Sequence, residues 1–435
     1  MTSDFQSLKR QMNGLQAMID IEAALKDVEN KDLLIYIHIP FCNSKCVFCD
    51  WVVDIPVRDL TAGSTKGGQY VAALCKHIRA YAPELGKIGY TPKYIYWGGG
   101  TPSRLQSSEI SEVVSVLKES FDLSSLQQHM METSPETLSM EKLETLLSFG
   151  IERVSMGVQS FDDAELRRSA RSHSAAQAEN SIHMIRSAGF EDFNIDLIAA
   201  LPEQKLETLE KSVRTAIELG VPHISVYVYR PNLDTVMAKQ SASGHREMVT
   251  YKKMFDYYSR AKDLLEEAGY HEYTTFYFAE DLKYRFKGEM YYFELRGDYV
   301  GFGSGGQSVL GHRSLKNSTN LHAYMDDPFN LESCEIFSPT KPGDQLFLLL
   351  GEAVTTSAGI NFDNFERLIG FPFSYIRNHP LMEVLIQYYE DCGAVFEETE
   401  ESLIVTADTR SKAYIGYLAG IYEAGRLRSN MAPAC

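Results

Sequence analysis

The chain has 435 residues, 44% hydrophobic and 23% charged, which excludes a disordered or low-complexity polymer and leaves room for two or three cooperating units. Lysine plus arginine is 42 and aspartate plus glutamate is 59, a formal charge of −17, so an acidic surface argues against nucleic-acid partners. No run of about 18 apolar residues is present, and Asp4, Glu22, Asp27 and Glu29 interrupt the first 30 residues. Neither a membrane partner nor a secretory leader is therefore expected, and the expected compartment is cytoplasmic, where thiols stay reduced.

Residues 1–32 read as a polar, helical N-terminal arm. Leu33–Pro40 is an apolar, β-branched run that reads as a buried strand ended by Pro40. Further strands are expected at Tyr94–Trp97, His129–Thr133, Arg153–Val158, Phe193–Leu201 and His223–Tyr229. Helices alternate with them: Ile110, Val113, Val114 and Leu117 mark one, and Leu143, Leu146 and Leu147 another, stopped by Gly150. Others fall at 175–187 and at Leu206–Leu219, before Gly220. Six β/α units in sequence predict an α/β fold with a partial (β/α)6 barrel over 33–240. Residues 241–340 read as a mixed, aromatic-rich extension completing the active site, with a helix at 249–268 and a turn-rich linker at 338–343. Residues 341–435 return to helix, with a short β pair near 393–405.

Seven cysteines occur, and three fall within eight residues, as Cys42, Cys46 and Cys49. Structural zinc wants four ligands and no nearby cysteine or histidine supplies the fourth; a disulfide is disfavoured by compartment and by the odd number. Three thiolates on one loop suit a [4Fe–4S] cube with one open iron. Ligands just past the C-terminal end of a strand are where α/β barrels place their chemistry.

Tyr-x-His-Ile-Pro-Phe followed by Cys-x-x-x-Cys-x-aromatic-Cys resembles the radical S-adenosylmethionine (SAM) superfamily, and within it the oxygen-independent coproporphyrinogen III oxidase-like branch, over roughly residues 33–430. The resemblance implies a [4Fe–4S] cluster on the three cysteines, SAM on the open iron, an electron donor such as flavodoxin or ferredoxin, and a C-terminal, mostly helical, winged-helix-like domain. It assigns SAM binding to Gly98, Gly99, Gly100 and Thr101 after the second strand, which are otherwise a tight barrel-end turn. It assigns the same role to Glu132, Gln159 and Arg171, and Asp196, a carboxylate on a buried strand, is expected to face the cofactor as well. Read from the residues alone, Glu132 is a solvated strand end, Arg171 a surface arginine, and Asp196 a buried carboxylate needing a partner. Leu201-Pro202-Glu203-Gln204 closes its strand as the family does, with Ala200 where glycine is usual.

Gly301 to Gly306 matches G-x-G-x-x-G but lacks a strand–turn–helix context, so a dinucleotide site is disfavoured. The resemblance makes it a late glycine loop bordering the site through Gly303 and Gly305. Tyr36, Phe48 and Trp51 flank the cysteine loop, either as core packing or as aromatics facing a sulfonium: Phe48 toward the cofactor, Tyr36 and Trp51 as candidate catalytic residues.

Coproporphyrinogen dehydrogenases carry a fourth cysteine two residues beyond the third; here Cys49-Asp50-Trp51 stands instead. The stretch from Cys49 to Pro56 is similar to class C radical SAM methylases and cyclopropane-forming enzymes of natural-product pathways. That similarity implies two SAM molecules, one giving a 5′-deoxyadenosyl radical and one a methylene for an sp² carbon of a small-molecule substrate. The expected activity is thus a class C methyltransferase or cyclopropanase. The alternatives are a coproporphyrinogen III dehydrogenase, a radical-SAM haem-degrading methyltransferase, or a haem chaperone of the same fold, which also lacks the fourth cysteine.

Overall fold

The computed structural model describes residues 31–51, 53–54, 66–231, 235–295, 297–310, 313–329, 335–337, 351, 354–369, 372–416 and 418. The expected arm (apart from residues 31 and 32), the linker at 338–343, Cys334 and Cys435 lie outside them.

Six parallel strands run in sequence order: β1 (Asp32–Ile39), β2 (Thr91–Gly99), β3 (Gln128–Thr133), β4 (Arg153–Gln159), β5 (Asp192–Ala199) and β6 (His223–Val228). Helices α1 (Lys66–Ile88), α2 (Ser107–Ser120), α3 (Met140–Ser148), α4 (Asp163–Arg168), α5 (Ala175–Ser187) and α6 (Leu206–Glu218) lie between them. The strands are buried on both faces, as parallel strands under helices must be. Capping is local: Asp162 accepts from the amides of Ala164 and Glu165, and Ser174 and Gln177 form a capping box on α5.

The sheet continues beyond the six units. Strands β7 (His271–Thr274) and β8 (Tyr277–Ala279) form a hairpin, with β8 antiparallel to β6. At the opposite edge β9 (Tyr299–Phe302) runs parallel to β1, followed by β10 (Gln307–Leu310), β11 (Arg313–Lys316) and β12 (Glu335–Phe337). One twelve-stranded sheet results. Between these edges come α7 (Val236–Ala242), α8 (Tyr251–Glu267) and α9 (Lys287–Leu295).

Register sorts the side chains. Tyr36 pairs with Tyr96, Glu132 with Ser155, Gly157 with Asp196, and Asp196 with Ser225, so these positions share one face, the lumen of the curved sheet. Ile35, Trp97, Met131, Val154, Ile195 and Val226 alternate with them and form the core beneath the helices. Residues 284–291 close the N-terminal end of the lumen. The amide of Lys287 donates to Gln128 (3.0 Å), the Tyr291 hydroxyl to the Asp32 carbonyl (2.6 Å), and Arg153 to the Tyr284 carbonyl (2.6 Å).

A second apolar cluster, including Val354, Ile360, Phe365, Leu385 and Leu403, is built from helices and a small antiparallel sheet of β13 (Ile360–Asn361), β14 (Phe396–Glu398) and β15 (Ser402–Val405). Among the described residues no helix is long and apolar enough to cross a membrane.

Candidate metal and cofactor site

The cysteine loop leaves β1 at Pro40 without secondary structure of its own, so tertiary hydrogen bonds hold it. Cys42 N–H donates to the Asp54 carbonyl (3.1 Å), and the Asp54 amide returns to Pro40 (2.6 Å). Val47 N–H donates to the Ser169 carbonyl (3.2 Å), while the Val47 carbonyl accepts from Met237 at the start of α7 (2.8 Å). The Cys49 amide turns back onto the Cys46 carbonyl at 3.2 Å.

The glycine segment lies against this loop. Gly100 and Thr101 amides donate to the carbonyls of Ile39 and Phe41, each at 2.8 Å, and Thr101 Oγ1 lies 3.6 Å from Cys42 Sγ. A Cβ on Gly100 would stand 2.8 Å from the Phe41 oxygen and 2.9 Å from the Pro40 carbonyl carbon, so only glycine admits this approach. Gly99 has φ +108°, and its missing side chain is occupied by the His38 ring.

Arg171 joins the ends of β3 and β4 to Cys46. Its Nη1 donates to Cys46 Sγ (3.3 Å), and its Nη2 to the Gly157 carbonyl (2.6 Å) and Ser134 Oγ (3.0 Å). Glu136 backs it: burial would raise this carboxyl, yet bonds from His173, Ser134 and Ser172 and the Arg171 charge hold it well below the usual range. Burial raises the Cys42 thiol and pushes Cys49 up to about 11, so these sulfurs ionise only for a strong Lewis acid.

The lumen beneath is acidic and phenolic. Tyr36 hydrogen-bonds His38 Nδ1 at 3.1 Å and meets Tyr96 edge to face. Tyr96 donates to Glu132, and burial, reinforced by the charges of Asp196 and Glu289, lifts that carboxyl to about 8. Burial likewise raises Asp196 to about 6 and Glu289, on α9, to about 7. Tyr227 donates to Tyr277 across 3.0 Å. Gln159 sits on a bulge at the end of β4 with φ +71°, strained for a non-glycine residue, and its amide crosses the space above Gly157.

Among the described residues, no three or more His, Cys, Asp or Glu side chains converge as a lone metal ion requires. Three spread thiols beside an arginine suit a cluster, whose corners are separate atoms, better than zinc. Arg171 Nε and Glu289 Oε2 are buried without a hydrogen-bond partner among the described residues, a donor and an acceptor that a zwitterionic sulfonium cofactor fits.

Cys42, Cys46, Cys49, Gly100, Thr101 and Arg171 are thus brought together, with Gly98, Glu132, Gln159 and Asp196 on the lumen side. Gly303 lies on the other flank of β1, where a Cβ would stand 2.4 Å from the His38 carbonyl oxygen. Gly305 donates to the Ser318 carbonyl (3.0 Å), and this glycine run is the corner of the antiparallel β9–β10 pair rather than a dinucleotide turn. Phe48 packs half-buried against the main core, whereas Trp51 is 61% exposed. Sequence reading missed Tyr227, Tyr277, Glu289 and the Glu136 brace; the first three reach the lumen from segments read only as barrel strand or mixed extension.

The family model of the radical SAM superfamily matches residues 36–216. The heme chaperone HemW of Lactococcus lactis is 30% identical over 290 residues, 67% of this chain and 73% of that protein. The chain belongs to the radical SAM superfamily. It lies in the branch holding HemW and the oxygen-independent coproporphyrinogen III oxidases: the oxidase of Salmonella typhimurium is 28% identical over 304 residues, 68% of this chain and 65% of that protein. The solved coproporphyrinogen III oxidase (HemN) of Escherichia coli shares the fold, with a TM-score of 0.73 at 22% identity, covering 92% of this chain and 93% of that one. A [4Fe–4S] cluster and SAM are the cofactors of this superfamily.

These relatives overturn the expectation of a class C methyltransferase or cyclopropanase in natural-product biosynthesis. That expectation rested on eight residues from Cys49 to Pro56. Asp50 and Trp51 there are exposed, and Val52 and the residues from Ile55 onward lie outside the described residues. Eight residues are a small sample, whereas the match to HemW extends over 290 residues.

Proposed function

We propose that this protein is a haem chaperone of the radical SAM fold, holding haem as cargo beside a [4Fe–4S] cluster and SAM. The observation that carries the reading is the position two residues past Cys49. Trp51 stands there, exposed, where the oxidases carry a further cysteine, and the similarity to a HemW protein spans two thirds of the chain. In this reading residues 33–240 form the cluster and SAM barrel, 241–340 complete its lumen, and 341–435 form the C-terminal helical unit.

Cys42, Cys46 and Cys49 hold the cluster, and Arg171 donates a hydrogen bond to the Cys46 sulfur. Gly98 to Thr101, Glu132, Gln159, Arg171 and Asp196 bind SAM, with the carboxyls toward its cationic groups and the guanidinium toward its carboxylate. When bound, the cluster supplies a one-electron reductant for the sulfonium, drawing on a flavodoxin- or ferredoxin-type donor. The number of SAM molecules bound is counted by titration.

The test is anaerobic. Reconstituted protein is titrated with haem while the Soret band is followed, and is separately incubated with coproporphyrinogen III, SAM and dithionite. One haem per chain, transferable to an apo-haemoprotein, with coproporphyrinogen left intact, is expected. Decarboxylation of coproporphyrinogen overturns the reading in favour of the oxidase.

A further inference from the structure

A buried chain of hydrogen bonds runs from the segment closing the lumen to Asp196. The Phe286 amide donates to the Tyr273 hydroxyl oxygen at 3.1 Å. That hydroxyl lies 2.7 Å from His223 Nε2, and His223 Nδ1 lies 2.7 Å from Asn194 Oδ1. Asn194 Nδ2 donates to Asp196 Oδ1 and to Ser155 Oγ, both at 2.8 Å, while Ser225 Oγ donates to Asn194 Oδ1 at 3.0 Å. His223, Asn194 and Ser225 are wholly buried and Tyr273 nearly so, so no water substitutes for a missing partner.

Donor and acceptor rules then fix every proton. A carboxylate only accepts, so the Asn194 amide nitrogen faces Asp196 and its oxygen faces His223. The imidazole must therefore carry its proton on Nδ1, leaving Nε2 to accept. Tyr273 must donate to Nε2 because that nitrogen then carries no proton and can only accept, while the Tyr273 oxygen keeps a lone pair for the Phe286 amide. Burial, with Arg153 nearby, keeps the imidazole neutral.

We propose that Tyr273, His223 and Asn194 are positioning residues that act as a one-way hydrogen-bond relay, orienting the Asp196 carboxylate for the bound cofactor from the segment that closes the lumen. This rests on the reading of Asp196 as a SAM contact. Asp196 shares its lumen face with Ser225 and Tyr227, and the Asn194 Nδ2 donor, fixed in direction by the relay, holds its Oδ1. The relay ties cofactor affinity to the Phe286 amide on the segment that closes the lumen.

The test has two parts. In full-length protein labelled with 15N-histidine, long-range 1H–15N spectra, with the His223 signals assigned by their loss in His223→Asn, should show neutral imidazole protonated on Nδ1. Protonation on Nε2, or imidazolium, overturns the relay. SAM affinity is then measured by calorimetry on anaerobically reconstituted protein. Tyr273→Phe, which keeps the ring but frees Nε2, should weaken SAM about five-fold at unchanged iron content. His223→Asn, whose amide can still donate to Asn194, should bind SAM better than His223→Leu. Unchanged affinity in Tyr273→Phe alongside a loss in Asp196→Asn overturns the relay while sparing the Asp196 assignment. Unchanged affinity in Asp196→Asn overturns that assignment and the relay with it.

Discussion

Replacing Glu132 with glutamine isolates what the lumen costs in the absence of cofactor. The carboxyl accepts from Tyr96, and burial, aided by Asp196 and Glu289, raises it from 4.5 to about 8. In the unfolded chain it ionises at its ordinary value, so between pH 4.5 and 8 the folded protein binds a proton that the unfolded chain has released. Stability contributed by that proton is complete below pH 4.5 and lost as pH rises through 8. Forcing the carboxylate to ionise in place costs roughly 5 kcal/mol, at 1.36 kcal/mol for each tenfold change in proton affinity. Glutamine keeps the acceptor for Tyr96 and never ionises. Cofactor-free wild type and Glu132→Gln should therefore melt at similar temperatures at pH 5, while at pH 9 the variant melts higher. Thermal denaturation in cofactor-free buffer from pH 5 to 9 reads this directly. Melting temperatures that fall in parallel refute the reasoning, because Glu132 would then not be the group held protonated.

Other outcomes follow from the same geometry. Cys42→Ala, Cys46→Ala and Cys49→Ala should each remove the iron–sulfur absorption near roughly 400 nm, whereas Cys75→Ala, buried in α1 away from the loop, should retain it; iron and sulfide assays check both. Gly100→Ala places a Cβ 2.8 Å from the Phe41 carbonyl oxygen, so the two loops must part at about 1–3 kcal/mol, and full iron content with unchanged SAM affinity would refute the close approach. Arg171→Lys loses the fork that reaches Cys46, Ser134 and Gly157 together. Cluster content after a desalting step should fall several-fold, and equal retention would show that the arginine does not brace the cluster.

The six parallel strands were legible because burial on both faces makes each a short apolar run, and Gly150 and Gly220 mark helix ends where φ is positive. Ala200 shows why the family favours glycine there: its φ is +62°. The β1–β9 pairing was not legible, since it joins Leu34 to Tyr299 across most of the barrel and no local pattern encodes a partner so distant. For the same reason Glu289, Tyr277 and the relay through His223 escaped notice; each residue alone reads as ordinary strand or helix. The cysteine triplet carried its chemistry openly because metal ligands need fixed spacing. The eight residues around Trp51 misled because so short a stretch carries little information beside a match over 290 residues, and Asp50 and Trp51 within it are exposed.

The two halves of the site rest on different supports, and this separates their failure modes. Glu132, Asp196 and Tyr227 stand on or at the edges of strands whose ladders exist without any ligand. The cysteine loop is tied by a few tertiary hydrogen bonds, and its Cys42 and Cys49 thiols resist ionisation until a metal draws the proton off. Cluster binding must therefore supply part of the free energy that orders the loop, while the lumen is already formed. Protein stripped of iron should keep its barrel and the His223 tautomer yet expose the 42–51 loop to protease. If stripping iron instead melted the barrel, the strands would depend on the cluster, and the division between a preformed lumen and a metal-ordered loop would fall.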